Sequence, residues 1–115
     1  MYLRHNLKFI HTILFVLTLL SAACSPKHYI QVHDESIVLY YEHTGAKEVF
    51  FASSIDRFRL HPAIKVKSDT WEVIVPKETE FSYFYLVDGT LTLPDCQFTI
   101  LDDFGAKNCL FVSEL

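Results

Sequence analysis

Glycine is scarce in this chain, with three residues in 115, and none forms part of a phosphate-cradling loop. No G-x-S-x-G elbow surrounds Ser53-Ser54, so a serine-nucleophile site of that type is excluded. Basic residues are outnumbered, ten Lys+Arg against fourteen Asp+Glu, for a formal charge of −4. Arg4 and Lys8 lie in the leading segment, so the rest is more acidic still. Such a surface excludes nucleic-acid binding, which needs a basic stripe. Histidines 28, 33, 43 and 61 have no second His or Cys at metal-ligand spacing, and are read as isolated surface residues. Asp34-Glu35 and Asp102-Asp103 fall in expected turns, without EF-hand spacing or the separation of a glycosidase carboxylate pair. No catalytic residue, metal site or cofactor is expected. No heptad, repeat or sustained helical period appears after residue 24, and 115 residues leave room for one domain.

The leading segment has its own logic. Met1 to Lys8 carry Arg4, His5 and Lys8 with no acid; Phe9 to Leu20 run apolar; Ser21-Ala22-Ala23 precede Cys24. A positive start, a short apolar run and a small-residue exit make an export signal over residues 1–23. The apolar run is shorter than the roughly 20 residues that a spanning helix needs. Leu19-Leu20-Ser21-Ala22-Ala23-Cys24 resembles the lipobox of bacterial lipoproteins, although Ser21 stands where Leu is preferred. The resemblance implies cleavage before Cys24 and lipid on that residue. Several acyl chains at ~0.8 kcal/mol per buried methylene hold a protein to a membrane stably. Ser25 resembles a sorting signal for an outer membrane, which implies an envelope protein facing the periplasm or the surface.

What remains is rich in β-branched and aromatic residues, with ten Phe, six Tyr and one Trp in the full chain. Residues 24–35 read as a tether with a candidate first strand, and 36–115 as the domain. Strands are expected at Tyr29–His33, Ile37–Glu42, Glu48–Ala52, Ala63–Lys67, Thr70–Val75, Phe81–Val87, Thr90–Leu93, Gln97–Leu101 and Cys109–Ser113. Short strands with a turn signal every 8–12 residues or so argue for a small all-β, antiparallel, immunoglobulin-like sandwich. Alternation points Ile37, Leu39, Tyr41, Val49, Phe51, Trp71, Val73, Val75, Phe81, Tyr83, Tyr85 and Val87 inward. It leaves Thr70, Glu72, Ile74, Ser82, Phe84 and Leu86 outside. Val87-Asp88-Gly89-Thr90 is the clearest hairpin, because Asp-Gly accepts the positive φ of a type I′ turn. With Cys24 lipidated, Cys96 and Cys109 remain in an oxidising compartment. A bond between them would close a loop of about 14 residues, worth roughly 3 kcal/mol; two separate buried thiols are the alternative.

From Ser36 onward the chain resembles the early-set glycogen-binding modules, including family 48 carbohydrate-binding modules and the glycogen-binding domain of the AMP-activated protein kinase β subunit. The likeness is carried by Ile37–Tyr41, Gly45–Ala52, Thr70–Pro76, Phe81–Gly89, and Asp103–Asn108 with Cys109–Val112. It implies an early-set sandwich and an α-glucan ligand stacked on aromatic platforms. Phe58 falls where the family has a platform Trp, Phe104 fills an apolar site of the final loop, and Asn108 keeps its amide. Phe84 replaces a sugar-contacting Lys, Leu91 falls at or near a second Trp, and Ala106 lacks a hydroxyl. Most polar sugar contacts are therefore missing. Phe58, Phe84, Leu86 and Leu91 would instead form an apolar patch. Three readings of it are open: a surface that docks an envelope protein or forms a homodimer, a weak sugar platform, or core covered by Pro26–Glu35. The first is preferred, with α-glucan binding as the alternative.

Overall fold

In Ile37–Tyr41 every second side chain is large and apolar, and this alternation builds one wall of the core. A computed structural model describes residues 28–113, and the expected export segment and Cys24 lie outside them. The strands are β1 His28–Val32, β2 Ser36–Glu42, β3 Val49–Ser53, β4 His61–Pro62 and β5 Ile64–Lys67. They continue as β6 Thr70–Pro76, β7 Glu80–Val87, β8 Thr90–Thr92, β9 Phe98–Leu101 and β10 Lys107–Val112. All pairings are antiparallel. A four-stranded sheet runs β1-β2-β6-β5; a six-stranded sheet runs β4-β3-β7-β10-β9, with β8 also on β7. The two pack as a small all-β sandwich of immunoglobulin-like type, as the spacing of strands and turns predicts.

Register explains the core. In the smaller sheet Ile37 faces Val75, Leu39 faces Val73 and Tyr41 faces Trp71. In the larger, Val49 faces Val87, Phe51 faces Tyr85, Tyr83 faces Cys109 and Phe81 faces Phe111. All of these are buried. Aromatic rings bridge the sheets: Tyr41 stacks on Tyr85 with centroids 4.6 Å apart. Asp88 and Gly89 have φ of 49° and 82°, the two positive values of a type I′ turn. The Asp88 carboxylate accepts backbone hydrogen bonds from Lys47 and Glu48, both at 2.9 Å, and so ties the hairpin to the start of β3.

The strand expected at Ala63–Lys67 forms as Ile64–Lys67 on β6, but a further strand that the sequence does not signal, His61–Pro62, precedes it and pairs with β3. The chain changes sheets at Ala63, a buried small residue whose amide bonds the Val49 carbonyl at 2.8 Å, and this closes one side of the sandwich. Three expectations need correction. Thr70 is buried rather than outside, at the end of β6 between Glu42 and Lys67. His28 is not a surface histidine; its ring stacks on Tyr83 with centroids 5.7 Å apart, and Nε2 meets the Tyr85 hydroxyl at 3.0 Å. The described part of Pro26–Glu35, residues 28–35, does not fold over the Phe84 face. From His28 to Val32 it is an edge strand on β2, in the opposite sheet, because alternation there offers His28 and Ile30 to the core beside Tyr41 and Leu39.

Cys96 and Cys109 form a disulfide, with Cα atoms 5.8 Å apart, joining the β8–β9 connection to β10. Of the two alternatives open in the sequence, the structure takes the bond.

Candidate functional site

The outward residues of the larger sheet form an apolar face, and register places its members. Pro62, Phe50, Leu86 and Leu91 lie in one row across β4, β3, β7 and β8. Ala52 faces Phe84 in the next row. Asn108 follows on β10, one residue past the Cys109–Tyr83 pair, and faces Ile100 on β9. A third row holds Ser82, Leu110 and Phe98. No side chain in these three rows is charged. Burial of the opposite face in the core fixes which residues emerge here, since a shift of one residue would exchange the two sets.

Phe58 reaches this face from a loop. Ser54–Asp56 form a single 3-10 turn, after which Arg57 and Phe58 both take positive φ, 61° and 62°. For a bulky residue such as Phe this conformation is unusual and costs on the order of 1–3 kcal/mol. The loop is held by three contacts. The Phe58 amide bonds the Ser53 carbonyl at 2.7 Å. The Ser54 hydroxyl accepts from the Ser82 amide at 3.0 Å. The His61 ring pairs with the Asp56 carboxylate, and the hydrogen bond from His61 holds the Asp56 carboxyl below its ordinary pKa. The result is a parallel stack, Phe58 over Phe84, with centroids 5.8 Å apart and planes 11° from parallel. Phe58 remains 37% exposed and Leu91 53%, while Phe84 and Leu86 are half-buried.

The structure therefore brings together Phe58, Phe84, Leu86 and Leu91, and sets Asn108 on the same face, where it is buried. Phe104 does not join them. It projects from the β9–β10 turn and is 97% exposed. Gly105, at φ 83°, and the Asp102 carboxylate, accepting from the Phe104 and Ala106 amides at 2.9 and 2.8 Å, shape that turn. Asp102 is thus a turn-forming carboxylate, as its sequence context implies. Phe50, Phe98, Ile100 and Leu110 extend the apolar face. They went unmarked in the sequence because their strands lack a dominant polar alternation. The alternate spacing of Phe98 with Ile100 was the available signal.

Among the described residues no group of three or more His, Cys, Asp or Glu side chains is placed to hold a metal ion. Compared with family models and with curated proteins, the chain matches none.

Proposed function

We propose that this chain is a non-catalytic, lipid-anchored protein of the bacterial envelope, whose sandwich docks an apolar surface of another envelope protein. The observation that carries the reading is the Phe58–Phe84 stack on an uncharged sheet face. A loop holds two consecutive residues at positive φ and thereby keeps a large aromatic half in water. Backbone strain and aromatic exposure both cost free energy, and both persist where a binding partner recovers them. Aromatic side chains with no charge at the centre are the composition of an interface core. Attachment rests on Cys24, since the acidic surface gives no pull toward anionic lipid.

The second reading is α-glucan binding. It is favoured by the gathering of Phe58, Phe84, Leu91 and Asn108, four positions matched to sugar contacts in the resemblance, on one face. It is weakened by the burial of Asn108 and by Phe84 standing where the resemblance implies a sugar-contacting lysine.

Two measurements separate the readings. A photo-crosslinking residue at Leu91, in cells expressing the full chain, should trap one envelope protein of a different mass. Phe84→Asp should abolish the product while far-UV circular dichroism stays unchanged. Calorimetric titration of the purified protein with glycogen and β-cyclodextrin should give no heat; saturable binding lost in Phe58→Ala would replace docking by the glucan reading.

A further inference from the structure

We propose that β9 is a self-pairing edge: two copies of this chain join antiparallel along Phe98–Leu101, fusing their larger sheets into one. The inference does not depend on the docking reading, because pairing at β9 leaves Phe58 and Phe84 uncovered.

The edges of the sandwich differ in how they are guarded. At one side, β4 is two residues long and contains Pro62, and β5 carries Lys65 and Lys67 with a register shift between them. Shortness, proline, lysine and a bulge are the features that stop edge strands from pairing with other chains. At the other side β1 packs His28 and Ile30 half-buried against the core. At the far side of the larger sheet, β9 is four residues long and carries no proline, lysine or register shift. Its sequence is Phe-Thr-Ile-Leu, all four residues are exposed, and among the described residues only β10 pairs with it. Phe98 is 50% exposed, Ile100 43% and Leu101 64%.

A second copy fits this edge better than an unrelated strand because the sequence is self-complementary. A two-fold axis perpendicular to the sheet keeps each residue on its own face, so opposed residues share parity. With Thr99 opposite Thr99, each Phe98 falls opposite an Ile100 on the outer face. Aromatic–β-branched and Thr–Thr oppositions are stabilising cross-strand pairs. No like charges meet within Phe98–Leu101, which matters for a chain of net charge −4. The nearest downstream acid, Asp102, already accepts two amides of its own turn. The Cys96–Cys109 bond ties the entry of β9 to β10, so the edge is ordered before it meets a partner. Across the junction the uncharged rows containing Ile100 and Phe98 would run on into those of the second copy.

The test places a photo-crosslinking residue at Leu101 in cells expressing the full chain. The expected product has twice the chain's mass and, by peptide mass spectrometry, contains this chain alone. Thr99→Lys sets two lysines opposite each other and should reduce the product by about tenfold. Co-expressing Thr99→Lys with Thr99→Glu should restore it as the mixed pair, which a misfolded variant would not do. A product containing a different protein, no product, or a doubled band indifferent to Thr99→Lys would each overturn the proposal.

Discussion

Around the ring of His28 three tyrosines converge: Tyr83 stacked on it, Tyr41 edge-on, and Tyr85 both edge-on and in contact through its hydroxyl. Burial pushes the His28 pKa down from 6.5 to about 4 and raises those of Tyr83 and Tyr85. The unfolded chain therefore binds more protons at position 28 between about pH 4 and 6.5. Stability contributed by the neutral ring is complete above pH 6.5 and is lost as the pH falls toward 4. We expect a loss on the order of 2 kcal/mol across that window. His28→Phe should flatten the difference between urea midpoints at pH 7 and 4.5; an unchanged difference would show that His28 does not set it. Single residues also mark where the sequence misleads. His28 lacks a metal-like neighbour and so reads as a surface histidine, yet it occupies the inward phase of β1. Trp71 reads as core from its phase and is core, 7% exposed, with Nε1 lacking a hydrogen-bond partner.

At the scale of elements, the β7–β8 hairpin and the disulfide carry the clearest expectations. Asp88→Ala removes the acceptor for two backbone amides and should cost about 1–3 kcal/mol in urea unfolding. Asp88→Asn keeps an acceptor oxygen and suits positive φ, so it should cost well under half as much. Equal losses for both variants would place the effect in the carboxylate's charge. For the disulfide, Cys96→Ala with Cys109→Ala should lower stability by roughly 3 kcal/mol, the entropy of the released loop. The same loss should follow from a reductant acting on the unmodified protein. Every strand expected from alternation exists, with bounds shifted by one or two residues. The strand missing from that reading is His61–Pro62, because a change of sheet at a single alanine leaves no mark in hydrophobic periodicity. Turns were legible where chemistry demands them: Asp88-Gly89 and Asp102 through Gly105 each need an acceptor or positive φ.

For the whole molecule, the decisive expectation concerns attachment. Cys24→Ser should abolish palmitate labelling and move the chain out of the detergent-extracted membrane fraction. A variant that stays unlabelled but membrane-bound would point to an uncleaved export segment instead. The sequence by itself determined the all-β class and the inward or outward phase of most strand residues, and it carries the three-part pattern from which an export segment is proposed. Phase follows from the two-residue period of a strand, which is a local property. Only the tertiary structure decided that Cys96 and Cys109 pair and that His28–Val32 joins the smaller sheet rather than covering the Phe84 face. Likewise it placed Phe58 over Phe84, and left Phe98–Leu101 as an edge exposed on both faces. These depend on which distant strands become neighbours, and a strand's own pattern specifies its faces without specifying what lies beside it.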